Sequence, residues 1–120
     1  MARVYYYTDE SGKNPVKEFI DGLEERHQRQ IMRLIGLLAQ EGAALRRPHS
    51  DTVRGALKEL RTRVGTLRYR VLYYFALRDT AILLHAFVKK TDAISESDIT
   101  IAGRRMADYQ SRIRSGRIKL

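Results

Sequence analysis

The hydrophobic period of this chain changes twice, and that change fixes its class. Along residues 15–41, Val16, Phe19, Ile20 and Leu23, then Ile31, Leu34, Ile35 and Leu38, recur at i, i+3, i+4 and i+7, the spacing of one helix face. From residue 57 the period drops to two, through LKELRTRV (57–64), LRYRVLYYF (67–75) and AILLHAFVKK (81–90). Helical spacing then returns with Ile99, Ala102, Met106, Tyr109 and Ile113. Helices and strands that are segregated along a chain define an α+β fold rather than a parallel βα alternation.

Local signals refine the order. RVYYY (3–7) is rich in β-formers and predicts a short strand, followed by a turn at SGKN. Asn14 and Pro15 suit a helix cap and first helical position, and Gly42 suits a helix end. Residues 15–41 therefore predict a helical hairpin, or a bent helix breaking around Glu24–His27, and residues 43–56 a loop. Gly65-Thr66 and Arg78-Asp79 connect the period-two segments into an antiparallel meander, its last and most apolar strand central. Ser95 and Asp98 have capping-box spacing before the final helix. The expected order is β-α-α-β-β-β-α in one domain, 1–120, with 111–120 a frayed tail. The helices are expected on one sheet face, leaving the other free for a ligand.

Composition excludes several chemistries. There is no Cys, hence no disulfide, thiolate zinc site or cysteine nucleophile. Three His without a ligand-spaced motif give no reason to expect a metal, and no Gly-rich phosphate loop calls for a nucleotide cofactor. No apolar run approaches the ~18 residues of a membrane span, and the first residues lack signal-peptide character. The expected setting is cytoplasmic, with no cofactor and no membrane partner.

Charge is the strongest functional signal. Lys and Arg number 23 against 14 Asp and Glu, a formal net charge of +9. Residues 54–70 carry Arg54, Lys58, Arg61, Arg63, Arg68 and Arg70 against Glu59 alone, and residues 104–120 show a similar excess. Such a field draws phosphates or acidic proteins. Strand alternation places Leu67, Tyr69, Val71, Tyr73 and Phe75 on one face, and Arg68, Arg70, Leu72 and Tyr74 on the other. Leu57, Glu59, Arg61 and Arg63 share a face, while alternation sends Lys89 and Lys90 to opposite ones. Arg grips phosphate through two parallel N–H donors, and an interleaved Tyr can stack on a base. His27 reads as solvated and His85 as a core residue. His49, Ser50 and Asp51 are adjacent in a loop, where a catalytic triad does not readily converge.

In order and spacing, GKNPVKEFIDGL, LKELR, LRYRVLYYF and LLHAFVKKT resemble the HigB-like, phage-derived branch of the RelE/ParE toxin superfamily, over about residues 5–110. The resemblance implies a RelE-like antiparallel sheet with N-terminal helices. It also implies a toxin of a type II toxin–antitoxin pair that cuts translated mRNA on the ribosome. The implied partners are ribosome, mRNA and a cognate antitoxin of helix-turn-helix type, since such antitoxins usually repress their operon through a DNA-binding part. By resemblance, Arg70 falls at a catalytic phosphate-binding Arg, and Lys89 and Lys90 fall near a second basic catalytic position. LKELR matches a basic strand in which Lys58-Glu59 departs from the more uniformly basic pattern. The expected catalytic set is Arg70, Arg61, Lys89, Lys90 and Glu59, with Glu59 or a lysine as base and His85 an outsider. The expected RNA contacts are Lys58, Arg63, Arg68 and Tyr74. The catalytic Tyr of RelE-type enzymes has no counterpart; Tyr109 reads as helix core. Two alternatives stand beside this reading: a ParE-like gyrase inhibitor without nuclease chemistry, and a non-catalytic nucleic-acid-binding prophage protein.

Overall fold

The computed structural model describes residues 1–120. Its elements are β1 (Arg3–Tyr6), α1 (Pro15–Asp21), α2 (Glu25–Glu41), β2 (Ser50–Arg54), β3 (Leu57–Val64), β4 (Leu67–Leu77), β5 (Thr80–Val88) and α3 (Glu96–Arg114). They build an α+β protein around one five-stranded sheet of order β1-β5-β4-β3-β2. All neighbours are antiparallel except β1 and β5, which run parallel. The meander is as expected, but β4 rather than β5 is the middle strand. β2 is an extra edge strand within the expected loop.

The helix signals act as their chemistry requires. Asn14 Oδ1 accepts the Lys17 N–H at 3.1 Å, with Pro15 in the first helical position. The chain breaks between α1 and α2 at Gly22–Glu24, so the N-terminal segment is a hairpin. Gly65, at φ +60°, takes the left-handed conformation of the β3–β4 turn, which a side chain would strain.

Both faces of the sheet carry helices. Val16, Ile20, Ile31, Leu34, Ile35 and Leu38 of α1 and α2 pack on Leu60, Tyr69, Val71, Tyr73 and Leu83, with Phe19 and Leu23 at the margin. On the opposite face, Ala102 and Tyr109 of α3 pack on Tyr7, Leu57, Leu72, Tyr74, Ile82 and Leu84. The expectation of one helix-free face is thus corrected: α3 covers the half built from Leu57, Leu72 and Tyr74 and leaves the other half open. Its apolar stripe needed a sheet face, and α1 and α2 already occupied the first.

The C-terminal end is not frayed. The helix persists to Arg114, the Ile118 N–H donates to the Arg112 carbonyl at 3.1 Å, and Ile118 and Leu120 pack against the α3-side core. Arg112 is buried there, its Nη2 donating to the Thr8 carbonyl and, at 2.8 Å, to Asp108 Oδ2. The Tyr7 hydroxyl donates to the same carboxylate at 2.6 Å. Burial, followed by that hydrogen bond, pushes the Tyr7 phenol up to about 12. No helix is long and apolar enough to cross a membrane.

Candidate functional site

The open half of the α3-side face is a grid set by strand register. Arg61 stands opposite Arg70, and Arg70 opposite Phe87, so these three form one row across β3, β4 and β5. One step outward is Arg63 opposite Arg68, with Lys89 continuing the row; the Lys89 N–H donates to the Arg68 carbonyl at 2.7 Å. One step inward, toward α3, is Glu59 opposite Leu72 and Leu72 opposite His85. Opposed side chains in a sheet stand about 5 Å apart, so the cations converge.

A β-bulge puts Phe87 and Lys89 on this face. Leu72 pairs with His85, but the next pair is Tyr73 with Leu83, so Leu84 is an extra residue in β5. Leu84 and His85 therefore both turn toward the α3 side, and the alternation beyond them is inverted. This settles the assignment of the two lysines. Lys89 joins the arginines, whereas Lys90 lies exposed past the strand end, lining a neighbouring groove with Thr91, Ser95 and Asp98.

Arg70 is the buried centre of the grid, with its side chain 6% exposed. Its Nη1 donates to the Tyr69 carbonyl at 2.9 Å. Its Nε lies 2.9 Å from Glu59 Oε1, but neither atom has an aligned hydrogen-bond partner, so the pair is a charge contact. Glu59 also sits 3.9 Å from Arg61 Nε, and Asp51 Oδ2 lies 3.9 Å from Arg61 Nη1. Arg63, Arg68 and Lys89 make no ion pair. Burial lowers the Arg70 guanidinium below its usual value, with Glu59 opposing, yet an arginine remains cationic. Burial and then the charge of Arg70 lower the Lys89 amine; Arg68 and Arg61 act in the same sense and Glu59 in the opposite one.

A groove of about 330 Å³ opens over Arg61, Arg63, Arg68 and Arg70, walled by Pro48, His49 and Thr62. Here is a residue that sequence reasoning set aside. The Arg61 N–H donates to the His49 carbonyl at 2.8 Å, which places His49 beside Arg61 at the end of the central row. The three neighbours still do not converge as a triad: Ser50 is buried on the other face, bonded to the Tyr73 hydroxyl at 2.6 Å, while Asp51 stands opposite Glu59 near Arg61.

Two expected RNA contacts are corrected. Tyr74 is on the predicted face but 2% exposed, because α3 covers it, and burial pushes its phenol up to about 12. Lys58 stands opposite Tyr73, on the α1/α2 face, away from the arginines. His27 is buried too, its Nδ1 2.7 Å from the Tyr69 hydroxyl. His85 is partly buried, with Nε2 2.7 Å from Asp98 Oδ1 and Nδ1 3.4 Å from Arg105 Nη1. The grid thus unites Arg61, Arg63, Arg68, Arg70, Lys89 and Glu59, and it excludes Lys58 and Tyr74.

A shallow groove with several arginine forks around one carboxylate is chemically suited to a phosphodiester. Residues 18–107 match the family described as phage-derived protein Gp49-like (DUF891). The chain belongs to this Gp49-like family. No curated protein matches the chain.

Proposed function

We propose that the protein is the toxin of a type II toxin–antitoxin pair and that it is an endoribonuclease, cutting translated mRNA on the ribosome. The observation that carries this reading is the central row: Arg61 and Arg70 opposed on adjacent strands, with Lys89 on the next row, its amine lowered by burial and then by the charge of Arg70.

Cleavage by the RNA's own 2′-hydroxyl needs three things. A base takes the 2′ proton, cations stabilise the charge on the phosphorane as the 2′-oxygen bonds to phosphorus, and an acid protonates the departing 5′-oxygen. The products are a 2′,3′-cyclic phosphate and a 5′-hydroxyl. Arg70 and Arg61 serve the phosphorane, since their forks present fixed donors and hold their charge. Arg63 and Arg68 track the neighbouring backbone. Proton transfer falls to the titratable groups around the arginines: Glu59 beside Arg70, the exposed His49 beside Arg61, and Lys89. Lys90, outside the grid, is left a supporting role in RNA binding.

The same cations suit an antitoxin. Carboxylates of an acidic segment would pair with the forks that hold phosphate, so inhibitor and RNA would compete for one surface. The experiment is induced expression with mapping of mRNA 5′ ends, with and without translation, in wild type and Arg70→Ala. New ends within translated codons, lost in Arg70→Ala and when initiation is blocked, support the proposal. Growth arrest with intact mRNA and broken DNA would transfer the protein to the gyrase-inhibiting class. Salt-sensitive RNA binding with neither effect would leave a non-catalytic binding protein.

A further inference from the structure

Phe87 is the one aromatic side chain in the row of Arg61 and Arg70, directly opposite Arg70. Phe87 packs against the margin of the α3-side core and also stands beside the cations of the grid. It is half-buried, and its ring is stacked on His85, with centroids 5.0 Å apart and planes at 25°. His85 is fixed in turn by Asp98 at 2.7 Å and Arg105 at 3.4 Å, and Asp98 is anchored by the Ser95 hydroxyl at 2.7 Å. The remaining surface of Phe87 lines a groove of about 200 Å³ between the end of β5 and the start of α3, flanked by Lys89 and Lys90.

We infer that this groove is a nucleobase subsite, in which the base next to the phosphate held by Arg70 stacks on Phe87. The inference rests on the RNA-cleaving reading above. Three features support it together. The ring is backed by a second ring that is held in place on both nitrogens, so the platform is preorganised. It stands one strand spacing from a phosphate-gripping fork, about 5 Å, within the span of a single nucleotide. The groove mouth is cationic where the backbone must enter and leave. The β5 bulge supplies the geometry, since it turns both His85 and Phe87 to the same face as Arg70. Stacking is tolerant of base identity, so this subsite positions the scissile nucleotide and does not read a codon.

The test uses ribosomes programmed with an mRNA whose A-site codon is 2′-O-methylated against cleavage and carries 2-aminopurine at one position at a time. Stacking quenches the fluorophore. With wild-type protein, quenching is expected at a single codon position, and it should persist in Phe87→Tyr. In Phe87→Leu the quenching should vanish and affinity for the programmed ribosome should fall about 5- to 100-fold. Quenching that is absent or equal at all positions in wild type, or unchanged in Phe87→Leu, overturns the subsite. The wild-type scan is decisive even where a variant folds poorly. The two readings fail differently: if no Arg70-dependent mRNA cleavage occurs in wild type, the endonuclease assignment falls and the subsite with it. If cleavage is intact and position-specific quenching is missing, the subsite alone falls.

Discussion

Glu59 holds Arg70 at 2.9 Å without a hydrogen bond aimed along the contact. A buried guanidinium with a poorly seated counter-ion is an exchangeable pair: an arriving phosphate offers better acceptors, and Arg70 can turn to it while Glu59 is released. The carboxylate therefore stores no strong bond that binding would have to break.

Glu59→Gln should separate its two roles. The amide cannot neutralise Arg70, so the free protein should lose about 1–3 kcal/mol of stability, read by urea unfolding. Phosphate should bind more tightly, because the competing carboxylate is gone. Cleavage that falls despite tighter binding would identify Glu59 as the base; cleavage that rises would identify it as a counter-ion only.

Arg70→Ala should cost at least about 100-fold in cleavage rate, and Arg70→Lys should recover little, because a point charge does not replace a planar fork. A translation-coupled cleavage assay with a fixed mRNA measures both. Recovery to near wild type in Arg70→Lys would show that charge alone suffices.

The lowered Lys89 amine gives a pH test. If Lys89 is the proton acceptor, the rate should rise with pH through a value below the ~10.4 of a free lysine. Arg68 is one of the charges that lower it. Removing that charge in Arg68→Ala should raise the amine's pKa and move the rising limb to higher pH. Lys89→Arg keeps the charge but cannot titrate, so it should abolish the limb. An unmoved limb in Arg68→Ala would place the titration elsewhere, with His49 the next group to test.

Asp108 ties the tail of the chain to its start. The Tyr7 hydroxyl, then Arg112, lowers the Asp108 carboxyl below its usual value. A carboxyl depressed in the folded state contributes stability that is present above its unfolded value, about 4, and lost as pH falls through the folded one. Asp108→Asn should lower stability at pH 7 and flatten its decline in acid, measured by thermal unfolding across pH 2–7. An acid limb identical to wild type would show that other carboxylates control it.

Much of this was readable from local pattern, and the failures share a cause. Alternation sorted Arg68 and Arg70 from Tyr69 and Val71 correctly, because one face must be apolar wherever a helix packs on it. It does not say what covers the second face, and so it offers Tyr74 as a ligand contact although α3 buries it. The apolar stripe of Ile99, Ala102 and Tyr109 was visible, but its target depends on where α1 and α2 sit. β2 escaped notice because a five-residue edge strand beside a proline offers little period to detect. The same error hid His49: grouped with its sequence neighbours it looked like a failed triad. It lies in the turn just before β2, and there its carbonyl accepts the Arg61 N–H while Ser50 turns to the other face. Lys89 and Lys90 could not be told apart without the extra residue at Leu84, which no local pattern announces.

That extra residue also sets the phase of everything after it. Before Leu84, the odd positions of β5 face α1 and α2; after His85, they face the groove. Deleting Leu84 would leave every later side chain chemically intact and half a turn out of place, with Phe87 and Lys89 directed at a hydrocarbon interior and Ala86 and Val88 looking out at solvent. No point substitution does this. The protein's chemistry, in that sense, is a matter of counting: it depends on the parity of one strand as much as on the identity of the residues that strand presents.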